Sequence, residues 1–150
     1  MPQSLSRVLI HLVFSTKGRL PLIGDDVRDE LHAYLSGVLN KHDCTSLQVG
    51  GPNDHVHLCF ALSRTITIAD IVETVKTSSS KWIKEEGRSR SDFHWQSGYS
   101  AFSVSESRAP AVVRYIQNQP DRHRRLSFQD ELRRILERHG VSYDERYLWD

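Results

Sequence analysis

Residues 55 to 62 read His-Val-His-Leu-Cys-Phe-Ala-Leu, with Val56, Leu58, Phe60 and Leu62 alternating with His55, His57, Cys59 and Ala61. This period-2 pattern predicts a strand with two unlike faces. One face should pack on helices, while the other carries two imidazoles leaving the strand in the same direction. Residues 7–14 are apolar and β-branched on both faces, as expected of a central strand. Val27, Leu31, Tyr34, Leu35, Val38 and Leu39 then follow a helical stripe, opened by an N-cap at Asp25 or Asp26 and ending near 40–43. A strand over 45–49 and the turn Gly50-Gly51-Pro52-Asn53 should form a hairpin with the histidine strand.

Further along, Thr67-Ile68-Ala69-Asp70 predicts a capping box opening a helix, with Ile68, Ile71, Val72, Val75, Trp82 and Ile83 inward and Gly87 as the stop. Residues 93–105 read as a broken strand in which Gly98 marks a bulge or a close backbone approach. Trp95 and Tyr99 on it suit core or interface packing at least as well as base stacking. Pro110 suits a first helical turn, so 111–119 should be helical and should end or bend at Pro120. A last helix starts at Ser127 with Phe128, Leu132, Ile135 and Leu136 inward, closing at His139-Gly140. This order of elements predicts an α+β fold of the ferredoxin-like, split βαβ type: an antiparallel sheet with helices on one face and extra C-terminal helices. The first and third strands would be central neighbours, bringing His11 near the histidine pair. The histidines are then expected on the uncovered face, within reach of substrate.

Composition adds limits. The 150 residues suit one domain, 1–150, and no run approaches the ~20 apolar residues needed to span a bilayer. Cys44 and Cys59 are too few for a disulfide framework, and the start lacks a signal-peptide layout, so a cytoplasmic location is expected. The net charge of +1 argues against a uniformly basic nucleic-acid binder, but the charge is segregated. Residues 1–24 hold Arg7, Lys17 and Arg19 and no acid, and 108–125 hold five arginines against Asp121 alone. The candidate phosphate contacts are Lys17 and Arg19 in a basic turn, Lys76 and Lys81 on the second helix, and Arg114 and Arg122 near the chain's basic stretch.

Neutral imidazoles on a rigid strand can ligate one divalent cation. Alone, a His-x-His reads more readily as a surface or satisfied core pair than as a metal site. The segment Tyr115-Ile116-Gln117-Asn118-Gln119 changes this, because on a helix Tyr115 and Gln119 share a face at i and i+4. Together they make a possible nucleophile-and-metal constellation. His94, His123 and His139 have no ligand spacing and are read as surface residues. Cys59 is read as packing, and without a thiolate cluster zinc is not expected. Asp54 suits either orienting an imidazole or capping the turn.

Asp54-His55-Val56-His57-Leu58, Trp95-Gln96-x-Gly98-Tyr99-x-Ala101-Phe102-Ser103-Val104-Ser105 and Tyr115-Ile116-x-Asn118-Gln119 together resemble the single-tyrosine HUH transposases. The opening His11-Leu12-Val13-Phe14-Ser15-Thr16-Lys17 and the closing Asp144-Glu145-Arg146-Tyr147-Leu148-Trp149 fit as well, so the resemblance runs over nearly the whole chain. It implies a single-strand DNA transposase in which Tyr115 attacks a backbone phosphate to form a phosphotyrosine. His55, His57 and Gln119 would hold a divalent cation, magnesium or manganese. It further implies single-stranded DNA with hairpins as substrate and a homodimer in which one subunit's tyrosine helix can complete the other's site. Arg122-His123-Arg124 departs from the His-His pair often found there. Two readings compete: a domesticated relative cleaving chromosomal palindromes, and a non-catalytic ferredoxin-like nucleic-acid-binding module. A hydrolytic two-histidine phosphoesterase would need a second histidine motif, and none is evident.

Overall fold

The computed structural model describes residues 2–85, 92–119 and 126–150. Among them β1 (Leu9–Ser15), β2 (Ser46–Gly50), β3 (His55–Ala61) and β4 (Ser100–Val104) form an antiparallel sheet in the order β2-β3-β1-β4. β1 and β3 are the central pair, as the ferredoxin-like pattern predicts, with His11 opposite Cys59 and Val13 opposite His57. The fold is α+β, with the helices α1 (Arg28–Lys41), α2 (Ile68–Glu85), α3 (Ala109–Gln117) and α4 (Phe128–Arg138) packed about the sheet.

Alternation along β1 and β3 divides the sheet into two chemically different faces. Ile10, Leu12, Phe14, Val56, Leu58 and Phe60 join the main core with Leu31, Leu35 and Leu39 of α1 and Ile71, Val75 and Ile83 of α2. Fully burying side chains of this size stabilises the fold by about 1.5–3 kcal/mol each, so this layer provides most of the driving force. Trp95 belongs to it, edge-on to Phe14 and Phe93 with both ring centroids at 4.8 Å. Its indole N–H donates to Ser79 Oγ at 2.9 Å. Core packing is therefore what Trp95 does here, whereas Tyr99 is 40% exposed.

The helix starts follow local rules with one exception. Thr67 Oγ1 accepts from the Asp70 N–H at 3.1 Å, as the capping box predicts, and Ser127 Oγ accepts from the Asp130 N–H. Pro110 lies in the first turn of α3. The expected aspartate cap on α1 is absent: Val27 holds the N-cap position and Asp25 pairs with Arg28 at 2.8 Å. Val27 is fully buried, and burying it sets the start of the helix more strongly than a side-chain cap would. The expected stops Gly87 and Pro120 lie outside the described residues.

The second face is not open, which corrects the expectation of uncovered histidines. Phe128, Leu132, Ile135 and Leu136 of α4 pack with Val13 and Phe102 of the sheet in a smaller core that Tyr143, Leu148 and Trp149 extend. An amphipathic α4 must bury its apolar stripe, and the histidine face is where it does so. His55 and His57 are consequently 0% exposed and His11 6%. The end of the chain is tied down beside them, where the Asp150 carbonyl accepts from Gly98 N–H at 2.8 Å and Gln96 Nε2 at 3.0 Å. This is the close backbone approach anticipated at Gly98. Among the described residues no helix is long and apolar enough to cross a membrane.

His32 on α1 carries a buried Nε2 with no hydrogen-bond partner among the described residues. Burial lowers its pKa from 6.5 to about 4. The unfolded chain therefore takes up the proton first, so His32 costs stability as pH falls from about 6.5 to about 4. His32→Leu should lose less stability across that window than the wild type in urea titrations. Parallel losses in the two proteins would show that His32 does not titrate this way.

Candidate active site

Turn chemistry at the head of β3 places the histidines. Gly51 has φ +149, and a Cβ there would run into the His55 carbonyl, so the chain turns into β3 only with glycine at this position. Gly50 lies against α3: a Cβ on it would stand 2.9 Å from the Ile116 carbonyl oxygen. The missing side chain lets the helix bearing Tyr115 settle beside the hairpin and over the histidine strand.

Both imidazoles are held from behind. His55 Nδ1 lies 2.7 Å from Asp54 Oδ1, so Asp54 orients His55 in this structure. His57 Nδ1 lies 2.8 Å from His11 Nε2 across the β1–β3 pair. With both Nδ1 atoms engaged, both Nε2 atoms are directed to the same point. Phe128 lies against His55 with ring centroids 4.3 Å apart.

Glu131 of α4 occupies that point. Its Oε1 is 3.0 Å from His57 Nε2 and 3.3 Å from His55 Nε2. Its Oε2 accepts a short hydrogen bond from the Tyr115 hydroxyl and another, at 3.0 Å, from Gln119 Nε2. Gln119 Oε1 in turn lies 3.3 Å from His55 Nε2. The structure thus brings together His55, His57, Tyr115 and Gln119 within one chain, around a carboxylate that the sequence pattern did not single out. The available signal was an acid within the inward stripe of α4, three residues after Phe128 and next to Leu132. Glu131 is 2% exposed, and an acid buried that far is normally paired.

Electrostatics differ between the histidines. Burial lowers the pKa of His11 to about 3, with His57 nearby adding to the effect, so His11 is a neutral support. Burial also opposes charge on His55, but its hydrogen bonds to Asp54 and Glu131 outweigh this and raise its pKa above the usual value. His55, His57 and Glu131 offer ligand atoms that all lie within 4.8 Å of one another. Two imidazole nitrogens and a carboxylate form a donor set that suits a divalent cation. Cys59 stands on the same strand face, but burial pushes its thiol up to about 11, consistent with packing.

Among the described residues, the basic side chains expected to contact phosphate are spread over different parts of the fold. Lys76 is half-buried and donates to the carbonyls of Gln96, Ser97 and Gly98 at 2.9, 3.2 and 2.7 Å. All three ammonium protons are occupied, and burial lowers its pKa to about 8. Lys81 stays exposed, 4.0 Å from Glu85. The Arg19 guanidinium lies over the Trp149 ring at 5.3 Å, with Arg133 5.2 Å from the same ring. Lys17 is exposed, and so is Arg114, beside the Tyr115 helix face. Arg122 and His123 lie outside the described residues.

Residues 4–119 match the family described as "Transposase IS200 like". Among solved structures the chain is similar to a candidate transposase from Deinococcus radiodurans R1, at 23% identity and TM-score 0.62. That match covers 79% of this chain and 98% of that one. It is also similar to a REP-associated tyrosine transposase solved bound to a REP hairpin, at 12% identity and TM-score 0.60. There the coverage is 82% of this chain and 73% of that one. No curated protein matches.

Two substitutions test how the site is held together. Gly50→Ala forces β2 and α3 apart and should cost about 1–3 kcal/mol in urea denaturation. Glu131→Ala leaves His55, His57 and Gln119 facing an empty buried position and should cost about 3–5 kcal/mol. A loss for Glu131→Ala no larger than that of a surface substitution would show that the carboxylate is not the shared anchor.

Proposed function

The chain belongs to the IS200-like transposase family, and on that premise we propose that it is a metal-assisted transposase of single-stranded DNA with Tyr115 as its nucleophile. The observation that carries this reading is the convergence of Tyr115, Gln119 and the His55–His57 pair on one carboxylate. Three separate segments of the chain supply these groups, and amphipathic packing alone would not bring their polar ends to a common point.

A covalent protein–DNA intermediate conserves the phosphodiester's energy, so a cut strand can be rejoined without an external energy source. The Tyr115 oxygen attacks phosphorus, the bond from phosphorus to the departing strand's oxygen breaks, and a phosphotyrosine forms. The phenol proton passes to Glu131 Oε2, which already accepts the Tyr115 hydrogen bond, and the departing oxygen takes up a proton to leave as a hydroxyl. A phenol of pKa ~10 is a weak nucleophile near neutral pH, so the carboxylate beside it matters. A hydroxyl of another strand end then attacks the phosphotyrosine, reversing the step and rejoining DNA.

His55 Nε2, His57 Nε2 and Glu131 Oε1 are the atoms that would hold a cation, with the Gln119 amide oxygen beside them. A bound divalent ion supplies charge neutralisation and polarisation at the attacked phosphate. Mixed nitrogen and oxygen donors suit manganese or magnesium, manganese matching imidazole better. His11 and Asp54 keep the imidazoles in the tautomers that such binding needs.

The substrate proposed is a single strand flanking a DNA hairpin, which fits the family and the hairpin carried by one structural neighbour. A homodimer follows from the family resemblance, although Tyr115 already meets the histidine pair within one chain.

The test is incubation with a hairpin-bearing single strand and manganese, read as a shifted protein–DNA band on a denaturing gel. Tyr115→Phe should abolish the band. His57→Ala should abolish it too, along with manganese binding measured by calorimetry, while retaining the wild-type circular dichroism spectrum. Strand cutting by Tyr115→Phe would refute the covalent mechanism, and full activity in His57→Ala would remove the metal from it.

A further inference from the structure

The histidine side of the site is sealed by α4, but the tyrosine side is not. A cavity of about 580 Å³ opens between β4, α3 and the end of α4, and His11 and Tyr115 contribute to its lining. This size falls within the roughly 300–1,000 Å³ of sites that hold small ligands. Arg108, Arg114, Arg138 and His139 also line it. Among the described residues no carboxylate pairs with any of the three arginines. Elsewhere in the structure exposed arginines do find acids, as Arg7 does with Glu106 and Arg146 with Asp144.

Three exposed guanidinium groups around one cavity repel one another, and that arrangement is best relieved by an anion between them. Tyr115, the residue that carries the proposed nucleophile, forms part of the cavity wall. Arg108 precedes α3, Arg114 is on α3 and Arg138 ends α4, so the charges come from separate elements and not from one solvated helix face.

We propose that this cavity is the binding subsite for the DNA strand immediately flanking the attacked phosphate, with Arg108 and Arg138 as its phosphodiester contacts. The proposal rests on the transposase reading above and adds where the strand lies. Guanidinium groups bind phosphate oxygens in a fork, and a contact to phosphate carries no base information, so the subsite positions the strand without reading its sequence. It also accounts for access: the strand approaches Tyr115 from the open side while the histidine pair stays covered by α4.

Binding of a hairpin-bearing single strand is measured against salt in the Tyr115→Phe background, and covalent-adduct kinetics are measured with Tyr115 intact. Arg108→Ala combined with Arg138→Ala should flatten the slope of log affinity against log salt by about 1.4, at about 0.7 for each single-strand phosphate no longer neutralised. It should raise KM for adduct formation with kcat largely retained, and Arg→Lys at both positions should restore most of the slope. Methylphosphonate linkages beside the cleavage position should weaken binding to the arginine-bearing protein and have no further effect in the double variant. Both residues are exposed, so the thermal midpoint should not move.

An unchanged salt slope, or a methylphosphonate effect that persists fully in the double variant, would overturn the proposal even if the adduct forms normally. If the protein with all its native residues forms no adduct, the transposase reading fails, and the salt and methylphosphonate arms still decide whether the cavity holds a strand.

Discussion

The buried carboxylate of Glu131 is the group on which the second half of the molecule depends. It ties α4 to both histidines of β3 and to the tyrosine and glutamine of α3 and its end. A carboxylate taken out of water is costly unless several donors satisfy it. Here a phenol, an amide and two imidazoles surround it, so three elements are held at a fixed separation. The same oxygens that satisfy this structural demand face the groups proposed to do the chemistry.

That arrangement requires a sheet with two different faces. Face one is apolar and packs on α1 and α2, burying enough side chains to fix the register of β1 against β3. Once the register is fixed, His11 has to lie against His57, because a one-residue slip would send every side chain to the opposite face. The polar face can therefore hold three histidines in a defined geometry, since the other face supplies the stability. Gly50 adds the remaining condition, a backbone approach close enough for α3 to reach the same face.

Much of this is legible in the sequence. Alternation identifies β3 and its histidine face, and helical spacing identifies the faces of α1, α2 and α4. The order of elements places β1 beside β3 and so brings His11 to the pair. Spacing alone would put Tyr115 and Gln119 on one helical face; α3 instead ends at Gln117, and Gln119 reaches His55 and Glu131 from just past its end. Less visible is Asp25, whose expected capping role gives way to burial of Val27. Lys76, a candidate phosphate contact by position, spends its three protons on the carbonyls of residues 96 to 98. A lysine's neighbours twenty residues away leave no trace in its local pattern.

By itself the sequence determined which residues share a face, because strand and helix periods are local and each side chain's direction follows from its position in the repeat. It also determined the topology, since short connections and two amphipathic patterns leave few ways to close the sheet. Only the tertiary structure decided that α4 covers the histidines and that an acid on it completes their surroundings. Whether a charged residue on an inward stripe finds partners depends on what packs opposite it, and that is set by segments about seventy residues apart meeting across the fold.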